Sequence, residues 1–274
     1  METSEGKLEK MPMPKVRFEL PTAETETDLI FHFCHGRSSG GWDWSEKVYK
    51  RHPKLKEMVQ GIDDEKEFYE KCREYVEGYL AENREAIEAA RDDFQKAWEE
   101  TEGRFYDEIT RDFDVDFPED IKEIKANVSI NPICPRHLDK WSFNVFYKSP
   151  IDNMKKTCVH EMIHFFHFKK WLEVFPGYDK KTFNGPHSEW KLSEIVVSPI
   201  INNNKTFQEI VNGRQDEGYS EFKDIKIDGQ TLIEYFGAFY REHLEGKMSF
   251  ADFLKKSWEE YQNHRDIIEG EIKS

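Results

Sequence analysis

The run from Asp63 to Phe113 constrains the fold more than any other part of the chain. Phe68, Cys72, Tyr75, Tyr79 and Leu80 recur every three or four residues; Ile87, Ala90, Phe94, Ala97 and Trp98 continue the series, and Phe105, Ile109 and Phe113 finish it. That spacing is the period of an amphipathic helix and excludes the two-residue alternation of a half-buried strand. Gly103 is the expected break. No strict heptads demand a coiled coil, so the stripe must be buried against the rest of the molecule. The other side is acidic. Residues 61–120 hold 22 Asp or Glu against 8 Lys or Arg, nearly the whole formal net charge of -15. A solvated helical face is expected there, and it offers a surface to a basic protein partner.

This charge excludes general binding of nucleic acid or anionic lipid. No apolar run approaches the roughly 18 residues of a membrane span, so no membrane association is expected. The 21 Phe residues argue for a folded core. Cys34, Cys72, Cys134 and Cys158 form no CxxC pair, and METSEGKLEK does not read as a secretion signal. The expectation is a reduced, cytoplasmic protein.

Along the chain, 1–14 reads as a flexible lead and KVRFEL at 15–20 as a short strand. The apolar part of 28–46 fits a strand or a helix turn, followed by an SSGG loop at 38–41. A change of character near Pro118 divides an acidic, mainly helical segment, 15–120, from a second region, 121–270. There 121–132 reads as a helix turn and a strand, and WSFNVFY at 141–147 as an aromatic strand. A helix follows from about Asn153 to Trp171. A shorter one runs from about Glu189 to Val197 and ends at Pro199, before a loop of Asn202, Asn203 and Asn204. Helices are also expected at 231–244 and from about 249 to 267, with a loose tail, EGEIKS.

The helix from about Asn153 to Trp171 carries the chemistry, in TCVHEMIHFFHFKKW at 157–171. Residues four apart stack on one helix face, so His160 and His164 aim their rings at a common point. A zinc ion accepts two imidazoles presented this way. Glu161 lies about 100° around the axis, where it reaches a bound water better than the ion itself. Zinc lowers the pKa of such a water from 15.7 toward about 7, and a carboxylate beside it takes the proton as the water attacks a carbonyl. Val159, Ile163 and Phe166 supply an apolar face opposite the ligands. His32 and His35 read as packing or surface residues.

His160-Glu161-Met162-Ile163-His164 resembles the HExxH motif of the zincin metallopeptidases, over roughly residues 124–200. The resemblance implies an upstream edge strand that pairs with extended substrate, a place WSFNVFY fits. It also implies a third ligand. The metzincin continuation HExxHxxGxxH fails, because His167 and Lys170 occupy its last two fixed positions. The gluzincin pattern takes a glutamate from a following helix, and Glu194 in WKLSEIVVSP fits best. A carboxylate among Leu192, Ile195 and Val196 needs a partner, either a metal or a Lys or Arg. Glu189, His187 and His167 are its rivals, and the NExxSD form of some gluzincins is missing. Gluzincins also supply a downstream oxyanion donor, for which Tyr219, Tyr235, Tyr240 and His243 are available. His, His and Glu also suit iron, but the adjacent base glutamate favours zinc.

The expected fold is therefore α+β and zincin-like, mainly helical, with a small sheet beside the metal-binding helix. The expected function is zinc-dependent hydrolysis of peptide bonds in a peptide or protein substrate. His160, His164 and Glu194 hold the ion, and Glu161 is the general base. The alternative is a non-catalytic interaction or regulatory module with a structural metal, which would need four protein ligands.

Overall fold

The apolar stripe of the acidic region forms two long helices, and the histidine-bearing helix packs beneath the second. The computed structural model describes residues 13–36, 43–117 and 120–270. In chain order the elements are β1 (Lys15–Glu19), α1 (Ala23–Cys34), α2 (Ser45–Arg51), α3 (Pro53–Val59), α4 (Glu65–Glu82), α5 (Arg84–Phe113), β2 (Glu123–Ser129), β3 (Arg136–His137), β4 (Ser142–Phe146) and α6 (Ile151–Val174). Then come α7 (Ser188–Asn203), α8 (Lys205–Ile210), β5 (Lys226–Ile227), β6 (Gln230–Thr231), α9 (Leu232–Leu244), α10 (Phe250–Asn263) and α11 (Arg265–Gly270). The result is a mostly helical fold with a small mixed sheet next to α6. Among the described residues no helix is long and apolar enough to cross a membrane. The first twelve residues of the lead, the SSGG loop, Pro118 and the last four residues of the tail lie outside the described residues.

The sheet runs β1-β2-β4-β3. β1 and β4 each pair parallel with β2, and β3 pairs antiparallel with β4. The aromatic strand β4 is thus internal and buried along its length. The edge beside α6 belongs to the two-residue β3. The opposite edge, β1, is covered by α5. Gln95 accepts from the Phe18 N–H and donates to the Val16 carbonyl, while Glu102 accepts from the Val16 N–H at 2.7 Å. Side chains from the acidic helix thereby satisfy backbone groups that would otherwise template edge pairing.

α6 is buried on nearly all sides, packed by α5, α7, α10 and β4. Phe166 meets Phe105, Tyr106 and Phe117; Phe165 stacks on Trp141, and Phe168 on Phe183. These aromatics hold the helix on one side and leave the His160 side facing a cleft.

Several local expectations are corrected. Residues 23–34 are helix, opened by a capping box between Thr22 and Thr25. Among the described residues, no helix turn lies between residue 120 and β2. Gly103 does not break α5; the long stripe is interrupted at Asn83 instead. α7 does not stop at Pro199 but runs to Asn203, so Asn202 and Asn203 are helical and Asn204 caps α8. Proline inside a helix costs about 3 kcal/mol. Ile200 and Ile201 lie just beyond it and are fully buried. Each contributes about 1.5–3 kcal/mol on burial, which offsets the proline. The Asn203 amide also bonds the Pro199 carbonyl at 2.7 Å.

Candidate metal centre

Four elements converge on the motif face of α6. α6 brings His160, Glu161 and His164; α7 brings Glu194; β3 brings Arg136; the segment after α8 brings Asp216 and Tyr219. His160, Glu161 and His164 offer ligand atoms that all lie within 4.8 Å of one another.

The two histidine Nε2 atoms are 3.2 Å apart. Glu194 Oε2 lies 3.5 Å from that of His160 and 3.4 Å from that of His164. A tetrahedron whose centre lies about 2.0–2.1 Å from each vertex, the zinc–nitrogen and zinc–oxygen distance, has edges of about 3.3–3.4 Å. The observed triangle has that size. Glu194 Oε2 is buried and finds no hydrogen-bond partner, a costly arrangement for a carboxylate oxygen unless a cation completes it. The donor set is therefore geometrically compatible with a metal ion.

Glu194 also has the protein cation that a buried carboxylate calls for. Its Oε1 accepts from Arg136 Nη1 at 2.6 Å. One oxygen faces the guanidinium and the other faces the two imidazoles. Burial would raise the Glu194 pKa, but Arg136, then His164, hold it well below the usual carboxylate range.

The two histidines are held differently. Nδ1 of His160 stands 3.0 Å from Asp216 Oδ2. A carboxylate only accepts, so Nδ1 donates to Asp216, and Nε2 is the nitrogen turned to the triangle, where it ligates once its own proton is displaced by a cation. Asp216 is fixed in turn by Ser198 Oγ at 2.6 Å and the Gly218 N–H at 2.9 Å. Burial would lower the His160 pKa, but Asp216, with Glu194 and Glu161, carries it well above its ordinary range. The surrounding carboxylates favour positive charge at this point. His164 is completely buried and lies near-parallel to Phe168. Burial, with Arg136 nearby, lowers its pKa to about 3, so the ring is neutral, the form that ligates metal.

Glu161 is buried beside the triangle, with Oε2 3.8 Å from Arg136 Nη1. Burial raises its pKa to about 7, against the pull of His160 and Arg136. A base with that value is matched to neutral pH.

Of the four downstream donor candidates, Tyr219 alone lines the cleft. Burial, then the charge of Glu194, puts its pKa well above the ordinary range, so the hydroxyl keeps its proton. Tyr235 is bonded to Glu260, and Tyr240 and His243 to Asp112. His167 stacks on Trp171, and neither of its nitrogens has a hydrogen-bond partner. Glu189 and His187 sit at the start of α7, more than a turn from Glu194. His35 stacks on Phe31, and His32 packs edge-on to Phe33.

Two residues of the site escaped sequence reasoning. Arg136 lies on a strand too short to show a period. Asp216 lies in a loop 56 residues beyond His160, and its one local signal is the glycine two positions later. Gly218 has φ +63°, and a Cβ there would meet Ser198 Oγ at 3.1 Å. Only glycine turns the chain there without displacing the serine that holds Asp216.

Comparison with known proteins finds no match: no family model fits the chain, and neither a curated protein nor a solved structure resembles it.

Proposed function

We propose that this chain is a zinc-dependent hydrolase of peptide bonds. The observation that carries the reading is the triangle of His160 Nε2, His164 Nε2 and Glu194 Oε2, with edges of 3.2–3.5 Å. In this reading those three residues hold the ion. Asp216 is not a ligand, because it addresses the other nitrogen of His160; it fixes that ring's tautomer and orientation. Arg136 occupies the second oxygen of Glu194 and so leaves the first for the metal.

A bound zinc ion supplies Lewis acidity, lowering the pKa of water toward about 7 and polarising the substrate carbonyl. Glu161 takes the proton of the attacking water and later delivers it to the leaving amine. Tyr219 donates its hydroxyl proton to the oxyanion that develops on the carbonyl oxygen. The buried walls of the site strengthen both interactions.

The rival reading, a structural ion in an interaction module, needs a fourth protein ligand. His167 does not supply one, since it packs one turn on against Trp171.

Zinc content measured on purified protein tests the assignment. The native chain and Glu161→Gln are expected to hold close to one equivalent; His164→Ala and Glu194→Ala are expected to lose it. Peptide cleavage is expected from the native chain alone. Loss of zinc in Glu161→Gln would overturn the role given to that residue.

A further inference from the structure

The cleft that opens onto the metal centre has a volume of about 840 Å³. Its lining is basic, although the chain as a whole is strongly acidic. Lys47 comes from α2, Lys156 from α6, Arg214 and Lys223 from the segments around Asp216, and Arg136 from the edge strand. The acidic lining is Glu161, Asp216 and Glu217. The first two belong to the metal centre, and Glu217 is paired with Lys223 at 2.6 Å. Arg214 is held loosely by Asp152 at 3.6 Å.

Lys156 is the cation placed closest to the chemistry by the helix itself. It stands four residues before His160, on the same face of α6. Its one hydrogen bond among the described residues is a long contact, 3.5 Å, to the Gln215 carbonyl. No carboxylate among the described residues lies within ion-pair distance of it. Lys47, on the rim, rests over the Trp44 ring at 3.9 Å rather than on an acid.

We infer that the cleft selects peptides carrying a carboxylate close to the bond that is cleaved, with Lys156 as the primary contact and Lys47 and Arg214 as a positive rim. The inference rests on the hydrolytic reading above and names its substrate class. One turn of α6 separates Lys156 from His160, about 6 Å along the axis. An extended peptide covers that distance in about two residues. The carboxylate therefore sits within about two residues of the reacting bond, as an acidic side chain or as a free C-terminus. The cations also draw such substrates in against the repulsion of the acidic helices.

Binding tests this without relying on turnover. Zinc-loaded Glu161→Gln protein is titrated with fluorescein-labelled hexapeptides in which one Glu is scanned through the central positions. Each has a matched Gln peptide, and each is made with a free and an amidated C-terminus. The expected result is at least tenfold tighter binding of one or more carboxylate-bearing peptides than of their neutral partners, weakening as salt is added. Loss of the preference on Glu-to-Gln exchange identifies a side-chain carboxylate, and loss on amidation identifies a terminal one. Lys156→Gln, introduced into the same protein, is expected to remove most of the preference, and Lys156→Glu to reverse it toward the neutral peptides. Equal affinity for charged and neutral peptides, or no binding of either, overturns the inference. Failure of the hydrolytic reading shows separately, as native protein that cleaves none of the peptides while the binding preference stands.

Discussion

Asp216 Oδ2 lies 3.0 Å from Nδ1 of His160, on the side of the ring opposite the nitrogen that faces His164 and Glu194. The aspartate thus decides which nitrogen of His160 is free to ligate. Asp216→Asn keeps the shape of the side chain but removes the fixed acceptor. Losing such a partner typically costs 10–100-fold in metal affinity. Zinc competition against a chromophoric chelator is expected to show a loss of that size, with the fold intact by circular dichroism. An unchanged affinity would remove Asp216 from the site.

Arg136 is the protein's own counter-charge for Glu194. Taking it away leaves a buried carboxylate without compensation, which costs about 3–5 kcal/mol. Arg136→Met is therefore expected to be destabilised by that amount when metal-free. Zinc should recover more stability in the variant than in the native chain, because the ion supplies the missing positive charge. Thermal melts of both proteins with zinc and with chelator check this. Equal zinc-induced shifts in the two would mean that Glu194 is not a ligand.

Gly103 sits exposed in the middle of α5, and a Cβ there would meet nothing within 4 Å. Gly103→Ala is expected to stabilise the chain by about 0.5–1 kcal/mol, by the helix-propensity difference between the two residues. Denaturant midpoints compare the two. A destabilised variant would place a bend or a contact at Gly103 that α5 does not have.

The same glycine shows what can be read from the chain and what cannot. The three-to-four-residue stripes carried α4, α5, α9 and α10, because each buries one continuous apolar face. Gly103 and Pro199 misled for one reason: a local penalty of about 1–3 kcal/mol yields when Phe105 and Ile109, or Ile200 and Ile201, are fully buried next to it. At the site, His160, Glu161 and His164 were legible because one helix turn sets their geometry. Glu194 was legible as an acid isolated among apolar neighbours. Arg136 and Asp216 were not, since they reach α6 only through tertiary packing. The WSFNVFY strand was recognised but its position was not, because register and strand order depend on a partner, β3, two residues long.

Glu26 offers a test of stability far from the motif. It is buried on α1, where Oε2 accepts from Ser129 Oγ at 2.9 Å and from the Ile130 N–H at 3.0 Å. Burial outweighs these bonds and raises its pKa from 4.5 to about 7. The folded chain then keeps a proton that the unfolded chain releases above pH 4.5. Wherever the folded state binds more protons, stability falls as pH rises. The loss begins near pH 4.5, is complete just above pH 7, and amounts to about 3 kcal/mol at 1.36 kcal/mol per pH unit. Glutamine has nearly the shape of the protonated acid and does not titrate. The stability of Glu26→Gln relative to the native chain is therefore expected to rise by about that amount between pH 4.5 and pH 8. Urea denaturation at intervals across this range reads the difference directly. A difference that stays flat with pH would mean that Glu26 is ionised in the folded chain throughout, and that the Ser129 and Ile130 donors outweigh its burial.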